Sequence, residues 1–404
     1  MDQLFGWITL LIVLISILIW TRKLPYIRNL ILVAFLLRSL FVILGYYNLI
    51  ALPDSDNDSI RFVEYAKIFS SDYGLSIVFN IFDSDSFIYP KFLSFFFSVI
   101  DNESLMMAQS LSVMVGTISV YLVYHLSLLI WDSRSAKKAA WVAAIFPSLI
   151  LYSSLTLREC YINFFLLISL IGIVKFFRKK ELVSFLQVIG GFYINMLLHG
   201  PMIFGGLIFL FYMIYNNIKD MLNSLYNLKI KTSSILILTI LLIPIILYTN
   251  NQFNIPYVGV PSKFLNLDYL LFKFNVGLFD TASYPSWLYI NNIYEIFTKG
   301  LIKIIYFLYS PFIWNISHPV HLLGLFDGFF YIGLTICVIK NWKPILSNPY
   351  LLMILIILIM YLIIYGLGIG NFGTGIRHRS KFVVMIIVLA APKLITFVYK
   401  PYKN

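Results

Sequence analysis

The chain has 404 residues, 60% of them hydrophobic and 12% charged, with a mean hydropathy of +0.87. A soluble domain is about half apolar and about a quarter charged, and folding buries too little surface to hide such an excess, so a water-soluble globular protein is excluded. The net charge of +12 does not indicate a nucleic-acid binder, because the basic residues recur in short clusters between apolar runs, as cytoplasmic loops do.

A helix that crosses a bilayer needs about 20 mostly apolar residues. In chain order, spans are predicted at 4–20, 30–50, 106–131, 138–155, 160–177, 183–198, 201–217, 234–249, 320–339, 350–368 and 382–398. The first is followed by basic residues and lacks a small-residue cleavage site, so it reads as a retained helix and not a signal peptide. A twelfth apolar stretch, 299–316, carries Lys299 and Lys303 at its start, is interrupted by Ser310-Pro311 and ends near Trp314. It is open between a full span, a re-entrant segment and an interfacial helix. The prediction is an all-α polytopic protein of 11 spans, or 12 if this stretch crosses, forming one membrane domain over 1–404.

Loop charge sets the expected orientation. Arg22, Lys23 and Arg28, then Arg134, Lys137 and Lys138, Lys175 to Lys180, Lys219 to Lys231, Lys340 and Lys343, and Lys400 and Lys403 lie in loops nearly free of acid. Such loops face the cytoplasm. The N-terminus is therefore expected outside and the C-terminus inside, with larger outward loops at about 51–105 and 250–319. The two cysteines, Cys160 and Cys337, have no metal-ligand spacing. No internal repeat is visible, which weakens transporter folds built from inverted repeats.

Four features on the outward side carry candidate chemistry. Asp54, Asp56 and Asp58 follow the second span after Pro53. Crowded carboxylates raise one another's pKa, which suits a general base or a divalent-cation site; the plainer reading is a solvated acidic loop. Arg158 and Glu159 adjoin in a short turn, where charge at a membrane boundary must be solvated or paired. The arginine fork suits phosphate, and Glu159 is a candidate catalytic acid or base. His199 lies in the turn before Gly200-Pro201 and is either catalytic or structural. Asn371 to Lys381 places Arg377, His378, Arg379 and Lys381 outside, where the positive-inside rule disfavours them. Glycines, a helix start and several cations together suit an anion, against a plain headgroup-binding turn. His318 and His321 lack a third ligand, so no metal site is assigned. Lys91 is a weak further phosphate candidate. Arg38 lies mid-span and needs protein or water around it; Asp327 is its candidate partner.

Carboxylates, cations and a histidine at one boundary suit a ligand with a phosphate at headgroup level, a polar part in water and a lipid tail. Pro53 to Asp58, Phe146-Pro-Ser with Tyr152 to Glu159, Ser310 to Trp314, and Asn371 to Arg379 resemble segments of bacterial surface-polysaccharide membrane proteins. The chain is similar to O-antigen or capsule repeat-unit polymerases, and its first-loop acids look like those of GT-C glycosyltransferases. The resemblance implies a bacterial inner-membrane enzyme that joins undecaprenyl-(pyro)phosphate-linked glycans on the outer face. Membrane lipid and other polysaccharide-assembly proteins, such as a chain-length regulator, are its expected partners. It requires no assigned cofactor, although a divalent cation fits the acids. The alternatives are a GT-C enzyme adding one sugar from a polyprenyl-phosphate donor, and a flippase for such lipids.

Overall fold

The computed structural model describes residues 2–55, 58–81, 87–226, 266–277, 282–319 and 321–395. Every named element among them is helical, and one isolated bridge joins Ser283 to Asn371. The helices are α1 (Asp2–Thr21), α2 (Arg28–Tyr46), α3 (Asp58–Tyr73), α4 (Ile88–Ile100), α5 (Leu105–Ile130), α6 (Ser133–Ile145), α7 (Pro147–Tyr152) and α8 (Glu159–Lys179). They continue with α9 (Leu182–Leu198), α10 (Ile203–Tyr226), α11 (Leu267–Phe274), α12 (Leu301–Tyr309), α13 (His321–Lys340), α14 (Pro349–Gly368), α15 (Phe372–Ser380) and α16 (Val383–Ala390). Shorter helical turns are left unnumbered.

Seven helices among the described residues are long and apolar enough to cross a membrane: Gln3–Thr21, Arg28–Tyr46, Leu105–Ile130, Glu159–Lys179, Gly200–Lys219, His321–Lys340 and Pro349–Gly368. Leu182–Leu198 and Val383–Lys393 are apolar but shorter. The span expected at 234–249 lies outside the described residues. The span expected at 138–155 is broken into α6 and α7. Pro147 supplies no N–H and crowds the preceding turn, so the helix stops at Ile145 and restarts with proline in its first turn. Within the stretch 299–316, the nine-residue helix α12 ends at Tyr309, with extended Ser310 after it and a short helical turn at Ile313–Asn315.

The break at Pro147 accounts for the mid-span arginine. It frees carbonyls in the last turn of α6, and Arg38 fills them. Its Nη1 donates to Ala144 O at 3.2 Å and its Nη2 to Ala143 O at 3.3 Å. A third bond runs to Ala34 O at 3.0 Å. A cation at the negative end of a helix is favourable. Asp327, the partner expected for Arg38, is bonded to Arg379 instead. Lys303 does similar work: its buried Nζ donates to Phe274 O at the end of α11 and, at 2.9 Å, to Leu367 O near the end of α14.

Lipid gives no hydrophobic drive between helices, so close packing must hold them. The long α5 packs against α1, α2, α6 and α8, and α8 against α9. Small residues permit that approach. A Cβ on Gly172 would stand 2.9 Å from Val188 Cγ2 and 3.1 Å from Ser184 O. On the other side of the bundle, a Cβ on Gly328 would collide with the backbone carbonyl of Tyr309. Backbone cannot swing aside as a side chain can. Gly328→Ala is therefore expected to destabilise the protein by about 1–3 kcal/mol, read as a lower melting temperature of the detergent-solubilised chain; an unchanged melting curve would refute this packing.

Candidate functional site

At one end of the bundle the α2–α3 connection, the start of α8, the end of α9 and helix α15 meet. Asn371 caps α15, its Oδ1 accepting from Thr374 N–H at 2.8 Å. The segment read from sequence as one basic turn is thus largely a helix, and helical geometry sorts its cations. Residues two apart lie about 200° apart around a helix, whereas residues four apart share a face. Arg377 and Lys381 therefore point one way and Arg379 another.

Arg377 faces the acids. Its Nε donates to Glu159 Oε1 at 2.8 Å, and its Nη1 to Asp58 Oδ2 at 2.6 Å. Lys381 Nζ stands 3.7 Å from the same Glu159 oxygen. The Glu159 side chain is fully buried, Arg377 is 11% exposed, and Asp58 is 36% exposed, so this ion network runs from the interior to its edge at Asp58. Glu159 Oε2 is buried and has no hydrogen-bond partner. Arg158, on the turn before α8, lays its guanidinium over the Phe62 ring at 5.5 Å. Burial opposes the charge on Arg377, but Glu159, Asp54 and Asp58 together hold its pKa above the ordinary arginine value.

Asp54 faces a cavity. Its backbone is left-handed, at φ 63°, a conformation that aspartate tolerates better than most residues. Its Oδ2 accepts from Tyr152 Oη at 3.1 Å. Asp54 and Tyr152 line a mostly apolar cavity of about 200 Å³, together with Phe41, His321, Asp327 and Gly373. Burial raises the Asp54 pKa above the usual aspartate value; Arg377 and the Tyr152 hydrogen bond lower it, and Glu159 and Asp58 raise it further. A carboxylate made more basic in this way suits proton abstraction. Asp56 lies outside the described residues.

Behind Arg377 sits a second layer. Lys381 Nζ is 2.9 Å from His378 Nδ1, and the His378 ring lies 5.2 Å from those of both His199 and Tyr365. His199 Nδ1 is 2.9 Å from Tyr365 Oη. Burial and then the neighbouring cations, Lys381 first, push the His199 and His378 pKa values well below the ordinary histidine range. Burial likewise lowers that of Lys381, against the pull of Glu159. Both imidazoles are thereby favoured as neutral groups.

Arg379 serves a different partner. Fully buried, it donates through Nε at 3.1 Å and Nη2 at 2.9 Å to Asp327 Oδ2. Its Nη1 reaches the carbonyls of Phe307, Leu308 and Ser310 at 3.3, 3.0 and 2.7 Å. Asp327 Oδ1 accepts from Ser148 N–H at 3.1 Å in the first turn of α7. This fork ties α15 to α12, α13 and α7.

The structure therefore gathers Asp54, Asp58, Glu159, Arg377, His378, Lys381 and His199 at one end of the bundle, with Arg158 beside them and Arg379 committed elsewhere. Lys91 stands apart from this network, its buried Nζ donating to Asn80 O at 3.0 Å. His318 and His321 have their rings 5.7 Å apart, and among the described residues no three His, Cys, Asp or Glu side chains are placed to hold a metal ion. Tyr152, Tyr365 and Asp327 were not singled out as site residues from the sequence. Asp327, a lone acid within an apolar run, did signal a need for a partner; the two tyrosines are indistinguishable from the other tyrosines in a chain that has 28. Comparison with protein-family models, curated proteins and solved structures finds no match for this chain.

Proposed function

We propose that this chain is a membrane glycosyltransferase that acts on undecaprenyl-(pyro)phosphate-linked glycans at the outer face of a bacterial inner membrane, polymerising O-antigen or capsular repeat units. One observation carries the reading: a carboxylate of raised pKa, Asp54, lines a cavity and lies within the field of an arginine-centred charge cluster. In the reaction, Asp54 takes the proton of the acceptor hydroxyl as its oxygen bonds to the anomeric carbon. The bond from that carbon to the phosphate oxygen breaks, and the electron pair leaves with the phosphate. The transition state is oxocarbenium-like, as in glycoside hydrolysis. Arg377, with Lys381 and Arg158 behind it, stabilises the departing anion. Asp58, at the exposed edge, is the ligand of Arg377 that a phosphate displaces most readily. The topology that goes with this reading has eleven crossings, an outward N-terminus and a cytoplasmic C-terminus.

A flippase is less well supported. Its path would need charges exposed at mid-membrane, whereas the guanidinium of Arg38 donates to helix carbonyls. A single-sugar transferase would use the same residues, and the product separates the two. Loss of a polymerase leaves surface glycan with one repeat unit, whereas loss of a single-sugar transferase alters the composition of the repeat.

Asp54→Asn is expected to lower chain extension about 10²–10⁴-fold, the usual contribution of a general base, with little change in protein level. The glycan ladder of cells carrying the variant is the measurement, and a wild-type ladder would refute the assignment. The pH dependence has a fixed sign. Because the working form is the carboxylate and its pKa is raised, the rate should fall on the acid side through an apparent pKa above that of an ordinary aspartate. An acid limb at or below the ordinary aspartate value would count against Asp54.

A further inference from the structure

The α2–α3 connection has space on both sides. Pro53 and Asp54 face the apolar cavity described above. Leu52, Ser55 and Ser59 line a second cavity of about 350 Å³, bounded also by Tyr46, Asn48 and Gln109. That volume lies within the usual range of small-ligand sites, about 300–1,000 Å³. We propose that this second cavity binds a neutral sugar of the acceptor glycan, an inference that rests on the transferase reading.

The chemistry of the wall selects the ligand. Among the described residues, no ionisable group other than the Tyr46 phenol lines the cavity, so these walls favour a neutral ligand over an anion or cation. It offers amides, hydroxyls and one aromatic ring, the groups that hydroxyl-rich neutral rings engage. Gln109 is 5% exposed, and its Oε1 is buried without a hydrogen-bond partner. A buried acceptor left unpaired is costly, and such groups nearly always have a donor. A sugar hydroxyl in the cavity supplies one. The connection lines both spaces, and two of its residues are left-handed, Asn48 at φ 54° and Asp54 at φ 63°. Ser59 Oγ lies 2.5 Å from Thr156 Oγ1, which fixes the start of α3 against the turn that follows Tyr152. The acceptor sugar would thus lie against the same connection whose Asp54 lines the apolar cavity.

Saturation-transfer NMR on the detergent-solubilised full chain, with methyl glycosides of glucose, galactose and N-acetylglucosamine, tests this. At least one glycoside should give a saturable signal. Gln109→Leu should weaken it about fivefold, as expected for one lost neutral hydrogen bond. Asn48→Gly, which suits the left-handed backbone at this exposed position, should also weaken it, and Asp54→Asn should leave it intact. No saturable signal with any of the three, or an undiminished signal in Gln109→Leu and Asn48→Gly, would overturn the proposal. The two readings fail separately. Gln109-dependent binding together with a normal ladder in Asp54→Asn cells would refute the transferase and leave the sugar site standing. A lost ladder in Asp54→Asn with no Gln109-dependent binding would do the reverse.

Discussion

Arg377→Met should cost about 3–5 kcal/mol of stability, the usual penalty for stripping one partner from a buried ion pair. The reason is Glu159. Its side chain is fully buried, its Oε2 already lacks a partner, and its Oε1 would keep only Lys381 at 3.7 Å. Chain extension should be lost as well, because Arg377 is the central cation of the site. The double variant Glu159→Gln/Arg377→Met separates the two effects. Removing both charges should restore much of the lost stability, leaving activity absent. Thermal unfolding in detergent and the glycan ladder are the two readouts. A single variant that melts like the parent would show that the network contributes little to the fold; an active double variant would show that it contributes little to the chemistry.

Arg379 should be as sensitive, for a different reason. Arg379→Lys keeps the charge but not the fork, and an ammonium cannot reach Asp327 and three carbonyls at once. The expected result is a sharp fall in folded protein, again about 3–5 kcal/mol. Arg379→Met/Asp327→Leu replaces the pair with apolar side chains and should survive better than either single change. Size-exclusion profiles of the solubilised variants measure this. A well-folded Arg379→Lys chain would mean that the carbonyl bonds are dispensable. On the proposed transferase reading, the basic segment thus contains one arginine whose loss should act on chemistry and fold together, and another whose loss should act on the fold.

How far the sequence led can be read from particular residues. Long apolar runs without breakers, such as 4–20 and 350–368, are helices close to their predicted bounds, because lipid leaves the backbone no other partner than itself. Where a breaker intervened, length alone misled: Pro147 divides 138–155, and α16 gives way after Ala390 to a turn containing Pro392. The gathering of acids and cations at one end was legible from loop charge. Their pairing was not. Arg377 and Arg379 are two residues apart in one motif, and only the formation of a helix there sends them to opposite partners. Arg38 needed protein or water around it, with Asp327 as a candidate partner; the carbonyls freed by Pro147 take that place, and a carbonyl leaves no mark in a sequence.

The distance along the chain between charge partners also bears on how the protein is made. Glu159 receives Arg377 from 218 residues downstream, and Asp327 receives Arg379 from 52 residues downstream. Both cations belong to α15, which follows α8 and α13 along the chain and is synthesised after them. Until it emerges, α8 and α13 must wait in the membrane with carboxylates that have not met their arginines, and ionised groups are costly there. Translation stopped before Phe372 would leave both acids stranded. Only once α15 is in place can Glu159 and Asp327 be held buried as ions; before that each must be protonated or solvated.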